Sequence, residues 1–204
     1  MALRKALDAL GRQAHRGSFF RNIDERFRDA PLATFRSFLY GGRYNRGAKY
    51  ERKAFGALYL TDTPANGLLE VGAMVNGVPA RLAPRLLLSV DADLQAVIDL
   101  RPPQAHAALG VTIGDLTACG WQRAQKRART VTQEIGAAAF DLGLEALLVP
   151  SARAAGHYNL VVIEPCLLIG SSLQVYVGDD QGSQRNARYG LVGSAQQRTA
   201  ATDS

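Results

Sequence analysis

The chain has 204 residues, 47% hydrophobic and 21% charged, which supports one well-filled core and excludes a wholly disordered polypeptide. Its two cysteines, Cys119 and Cys166, exclude a disulfide framework and a four-thiolate zinc site, and apolar runs such as Leu86–Leu88 are far too short to span a bilayer. The formal charge of +6 is uneven: residues 1–53 hold 13 basic and 5 acidic groups, net +8, and the rest of the chain is net −2.

In chain order, Leu3, Leu7, Leu10 and Ala14 fall at helical spacing and predict an amphipathic helix. The opening MALRKALDALGRQAHR lacks the continuous apolar stretch of a secretory signal, so a reduced, cytoplasmic setting is expected. Residues 32–40 are apolar and aromatic, and Gly41-Gly42 then begins a glycine-bracketed loop, GGRYNRG, carrying Arg43 and Arg46. Ala57–Thr61 reads as a short buried strand. Thr63 caps a following helix and Pro64 fits its first turn, with Leu68, Leu69, Val71 and Met74 as its expected buried side.

Residues 85–90 and 94–100 read as two strands, with Asp91-Ala92-Asp93 as the turn between them. Thr112 and Asp115 form a capping-box pattern, and 121–142 is the longest helical stretch, ending near Gly143. Strands follow at 144–150, 160–165 and 172–177. Helices early and short strands late predict an α+β single domain over residues 1–178, with a mostly antiparallel sheet and flanking helices. Residues 179–204 are rich in Gln, Gly, Ser and Arg and are expected to form a mobile tail that folding does not need.

Several common chemistries lack their motifs. His15, His106 and His157 are scattered, with no H-x-x-x-H pair, so no metal is expected. No G-x-x-x-x-G-K-[ST] loop, no G-x-G-x-x-G after a strand and no G-x-S-x-G elbow occurs. The basic first quarter suits an anion: nucleic acid, a phosphorylated small molecule or an acidic protein segment. A basic nucleic-acid-binding or interaction module without enzymatic activity is therefore the alternative reading, although no helix-turn-helix, RRM or OB pattern accompanies the charge.

Four segments stand out in order: FFR (19–21), GGRYN (41–45), LYLTDTPANGLLE (58–70) and LLVPSARAAGHYN (147–159). Together they resemble the RES-domain family, named for an arginine, a glutamate and a serine. Thr61 stands where the family often has Ala, and Gly67-Leu68 replaces part of its usual Ala-Leu. The resemblance implies an ADP-ribosyltransferase-like fold and a bacterial type II toxin that consumes NAD, by degrading it or by transferring ADP-ribose. It also implies a cognate antitoxin with an Xre-type helix-turn-helix domain. NAD is then a substrate, with no metal, no membrane partner and no direct nucleic-acid binding expected.

Breaking the nicotinamide–ribose bond develops positive charge on the ribose, which calls for a carboxylate, cations for the pyrophosphate and an aromatic surface. Glu70 is the candidate carboxylate, set in the otherwise apolar LLEVGAMV segment. Arg43, after two glycines that let backbone and ligand approach, is the phosphate clamp, and Arg21 is a second cation. Tyr59 is the expected stacking surface, with Tyr44 as its understudy. Ser151 is placed for a hydrogen bond to ligand rather than for nucleophilic attack, and Asn159 to orient the loop or touch ligand. These residues do not choose among water, inorganic phosphate and a protein side chain as acceptor.

Overall fold

Alternation along the strands sorts apolar side chains into two cores. In β2 (Ala57–Thr61), Leu58 and Leu60 face one way and Ala57 and Tyr59 the other, so a strand covered on both sides reads as one apolar run. The computed structural model describes residues 2–74, 83–176 and 187–192. The other strands are β1 (Gln13–Asp24), β3 (Arg85–Asp99), β4 (Ala146–Pro150), β5 (Tyr158–Ile163), β6 (Ser172–Tyr176) and β7 (Ala187–Val192). The helices are α1 (Ala2–Ala9), α2 (Phe35–Tyr40), α3 (Pro64–Met74), α4 (Pro103–Leu109), α5 (Ile113–Thr117), α6 (Trp121–Ala124) and α7 (Val131–Asp141).

Strand order is β1-β2-β5-β4-β3-β6-β7, and β1 also pairs with β3. Five strands thereby close a ring, from which β6 and β7 extend. Every pairing is antiparallel except β3–β4, as the sequence predicts for an α+β domain. One core is supplied almost wholly by strands, including Phe19, Leu60, Val90, Leu148 and Val162. The opposite sheet face, with Ile98, Leu147, Val149 and Val161, packs against Leu7 of α1, Leu109 of α4 and Ile135 of α7.

The structure corrects the sequence reading at five places. The N-terminal helix, expected to reach Ala14, ends at Ala9, and β1 runs over 13–24 where no strand is expected, turning Phe19 and Ile23 inward. The two strands expected at 85–90 and 94–100 are one, because Asp91-Ala92-Asp93 alternates rather than turns. Ala92 is buried, while Asp91 accepts from Ser18 Oγ and Asp93 pairs with Arg16 across β1. The long helix expected at 121–142 is broken, since Thr130 and Gln133 form a capping box that starts α7 afresh. On α3, Leu68 and Leu69 are 59% and 52% exposed and Asn66, Gly67 and Val71 are buried instead. Within the expected tail, β7 pairs with β6 from Ser172↔Val192 to Tyr176↔Ala187, so truncation after Val177 removes a strand. The other residues of 179–204, and the Met74 side chain, lie outside what is described.

One polar feature is buried in this frame. The register of β1 against β3 shifts between Gln13↔Val97 and His15↔Leu94, a bulge that lets both Leu94 and Val97 face the same core. The fully buried Glu145 carboxylate occupies the bulge: Oε2 accepts from the N–H of Gln95 (2.6 Å) and Ala96 (2.7 Å), and Oε1 from that of Leu168 (2.8 Å). Glu145→Gln places an amide donor against at least one of these donors and is expected to cost roughly 2 kcal/mol. Urea unfolding checks this: the midpoint falls while the slope stays at its wild-type value.

Candidate functional site

Strands β2, β4 and β5 bring their ends together, and the site forms there. Thr61 lies opposite Asn159, and Pro150 opposite Tyr158. After β2 the chain turns into α3, where Thr63 Oγ1 accepts from Asn66 N at 3.2 Å, the cap expected from the sequence. Asn66 and Glu70 are one helical turn apart and share a face. That face meets Ser151, just after β4, and Asn159, in β5.

Glu70 is half-buried. Its Oε1 lies 3.4 Å from Ser151 Oγ and accepts from Asn159 Nδ2 at 3.2 Å, while Oε2 has no hydrogen-bond partner among the described residues. Ser151 Oγ also donates to Asn66 Oδ1 at 2.9 Å and accepts from the backbone N–H of Arg153 (3.1 Å) and Ala154 (3.3 Å). Three candidates distant in sequence, Glu70, Ser151 and Asn159, therefore meet in one hydrogen-bonded group.

The sequence reading missed the residue that joins them. Asn66 is fully buried, and its Nδ2 faces Asp62 Oδ1 (3.0 Å), Asn159 Oδ1 (3.0 Å) and the carbonyl of Tyr158 (3.3 Å). Its available signal was an amide four residues before Glu70 on a helix otherwise made of small and apolar residues. Asp62 and His157 were missed as well: His157 Nδ1 lies 2.9 Å from Asp62 Oδ2. A carboxylate accepts only, so Nδ1 carries the proton.

The GGRYN loop is fastened to α7. Thr132 Oγ1 donates to the carbonyl of Arg43 (2.7 Å), Gln133 Nε2 donates to that of Gly42 (2.9 Å), and a Cβ on Gly136 would strike the Tyr44 carbonyl at 1.6 Å. Gly41 has φ of 78°, and a Cβ on Gly42 would meet the Tyr59 hydroxyl at 2.3 Å. Gly42 thus makes room for Tyr59 and Gly41 for Gln125 and the loop's own backbone, rather than for a ligand. The Tyr59 hydroxyl donates to Asn45 Oδ1 (2.8 Å) and accepts from Tyr44 N (2.9 Å), and burial pushes its pKa up, with the nearby Arg43 opposing that shift. Tyr59 is partly buried against the helical core on the sheet face that carries Asn159, two pairs along in the β2–β5 register.

Arg43 is partly exposed and donates from Nη1 to the carbonyl of Ala118, and Arg153 Nη1 lies 3.8 Å from the sulfur of the neighbouring Cys119. Two other expectations need correction. Tyr44 is 1% exposed with its ring in the helical core, so its face is closed to a ligand. Arg21 donates to the carbonyls of Pro31 (2.6 Å) and Ala33 (3.1 Å), and burial lowers its guanidinium to about 10. It holds the turn after β1 and makes no hydrogen bond to the Glu70 group.

Among the described residues there is no His, Cys, Asp and Glu cluster of three or more able to hold a metal, and no helix long and apolar enough to cross a membrane. The site rests on Asn66 presenting donors to Asp62 and Asn159. Asn66→Asp replaces these donors with a third carboxylate and is expected to cost about 3 kcal/mol of stability, read by chemical denaturation.

A family model described as the RES domain matches residues 15–174, from β1 into β6, and so spans both groups of side chains. No curated protein matches the chain significantly. A chain in the crystal structure of the M. tuberculosis MbcT–MbcA toxin–antitoxin complex aligns with 99% of this chain and 98% of its own, at 23% identity and a TM-score of 0.59. That likeness is one of fold. With its family model covering the ring, the Glu70 group and the GGRYN loop, the chain belongs to the RES domain family.

Proposed function

We propose that this protein is the toxin of a toxin–antitoxin pair and that it consumes NAD by cleaving the nicotinamide–ribose bond. The observation that carries the reading is the Glu70 carboxylate, with Oε1 held by Asn159 and lying 3.4 Å from Ser151 Oγ, and Oε2 left without a partner among the described residues. Departure of nicotinamide leaves positive charge at the anomeric carbon, and a carboxylate oriented before the reaction stabilises that charge without reorganising. Half-burial strengthens the interaction relative to water.

The surrounding residues fit the other needs of the substrate. Tyr59, which is partly buried, is the candidate stacking surface for nicotinamide or ribose, its hydroxyl being committed to the GGRYN loop. Arg43 is steadied by α7 through its own carbonyl and by Ala118 through Nη1, and its remaining N–H groups suit a pyrophosphate. Ser151 is a positioning residue, since its hydroxyl is directed at Asn66 and Glu70. Water, inorganic phosphate and a protein side chain all complete the same cationic step.

An antitoxin partner is supported by the fold shared with a chain of the MbcT–MbcA toxin–antitoxin complex. An Xre-type helix-turn-helix domain in that partner follows from the family resemblance. Expression without the partner should slow growth, and Glu70→Gln should relieve the effect.

The direct test incubates purified protein with NAD and measures nicotinamide. Glu70→Gln, nearly isosteric, is expected to lower turnover by about 10²-fold or more while leaving most NAD affinity. Arg43→Ala is expected to raise KM more than it lowers kcat, because a phosphate clamp acts before and during the reaction. Wild-type turnover by the Glu70→Gln variant would defeat the assignment.

A further inference from the structure

His157 and Asp62 form a second chemically equipped pair beside Glu70, with a task the cleavage step leaves unfilled. The Asp62 carboxylate is 9% exposed and the imidazole 38% exposed. The bond from Nδ1–H to Asp62 fixes the tautomer in which Nε2 carries a free lone pair, and Nε2 has no hydrogen-bond partner among the described residues. Thr63 Oγ1, 3.4 Å from Nδ1, borders the ring on the same side as Asp62.

The pair is tied to the Glu70 group along two routes. Through side chains, Asp62 accepts from Asn66, which accepts from Ser151, which in turn contacts Glu70. Through the backbone, Ser151 N donates to the carbonyl of His157 at 2.9 Å, and Asp62 N to that of Tyr158 at 3.1 Å. A closed circuit of hydrogen bonds therefore holds the imidazole on the loop that also carries Ser151. Its charged surroundings are Asp62 from the β2–α3 turn, Glu70 reached through Asn66 and Ser151, and Arg153 on its own loop.

We propose that His157 is the general base of the reaction and that the acceptor is a neutral O–H group, water or a hydroxyl. The inference rests on the NAD-cleaving function proposed above. The ribose C1′–N1 bond breaks and its electron pair leaves with neutral nicotinamide. A lone pair of the acceptor oxygen forms the new C1′–O bond, and the acceptor's proton passes to Nε2 and then to solvent. NAD and water thus give ADP-ribose, nicotinamide and one proton, with no oxidant or reductant. Asp62 is a positioning residue that stabilises the imidazolium formed in this step. An acceptor whose attacking atom is already an unprotonated anion needs no proton removed and bypasses the base.

The experiment compares full-length wild type, His157→Ala and Asp62→Asn with NAD in phosphate-free buffer, quantifying nicotinamide and the ribosyl product, with and without added azide. His157→Ala is expected to lower kcat with water by about 10²-fold at nearly unchanged KM, with partial recovery in free imidazole. Azide should return its nicotinamide release close to the wild-type rate. Asp62→Asn should also lower kcat, since an amide that donates to Nδ1 moves the imidazole proton onto Nε2. Unchanged kcat in His157→Ala, a raised KM alone, or equal losses with water and azide would overturn the proposal. Wild-type protein that leaves NAD intact overturns the proposed function with it. Wild-type cleavage that Glu70→Gln abolishes and His157→Ala spares overturns this inference alone.

Discussion

Glu145 gives its buried carboxylate to three backbone N–H groups, and the geometry of the ring follows from that arrangement. β3 serves β1 along one edge and both β4 and β6 along the other, so it must bend where those partners divide. The bulge near Gln95 and Ala96 supplies the bend and removes those two N–H groups from the ladder. A buried carboxylate is costly alone, but three charge-assisted hydrogen bonds offset the desolvation and leave no orphaned donor. Glu145 also leads directly into β4, which it seats at Val97↔Ala146, five residues from where Ser151 enters the site. One end of a short strand fixes the ring and the other delivers a functional side chain.

The site repeats this use of buried polar groups at its own scale. Asn66 lies where α3 crosses the ends of β2 and β5, and it links Asp62, Ser151 and Asn159 through a single amide. Each of those residues then orients a further group: Ser151 and Asn159 act on Glu70, and Asp62 acts on His157. Side chains fixed before a substrate arrives pay no reorganisation during the reaction, the main advantage of a protein site over water. Asn66 takes a buried position on α3, and Leu68 and Leu69 face solvent instead.

What the sequence made legible follows from how local each determinant is. Ala57–Thr61 and the strand ending at Pro150 are continuous apolar runs, and the capping box at Thr112 and Asp115 lies within one helical turn. Glu70, Ser151 and Asn159 were recognised through ordered segments, and the fold brings them together. β1 escaped because most of its residues are polar or charged and only Phe19 and Ile23 are buried, and Asp91-Ala92-Asp93 reads as a turn until Ser18 and Arg16 are seen opposite. Tyr44 and Tyr59 are equivalent candidates as letters. Only packing against α7 decides that one ring is enclosed and the other partly open. Asp62 and His157, 95 positions apart, carry no joint signal along the chain.

The basic first quarter is resolved by the same kind of accounting. Arg12, Arg16, Arg26 and Arg28 pair with Asp8, Asp93, Asp24 and Glu25 at the surface, where solvent screens each contact and leaves it little weight in stability. Arg21 and Arg46 are bound to backbone carbonyls, so their charge stabilises turns and loops. These six arginines thus serve local structure, and the rest of the first quarter's excess charge is carried by Arg4, Lys5, Arg36, Arg43, Lys49, Arg52 and Lys53. Arg43 differs from the six because its backbone is fastened to α7 while much of its guanidinium remains available. Under the proposed function, Arg43 is the arginine whose place near Tyr59 suits a dinucleotide phosphate, since it is held at its backbone while its guanidinium keeps N–H groups to spare.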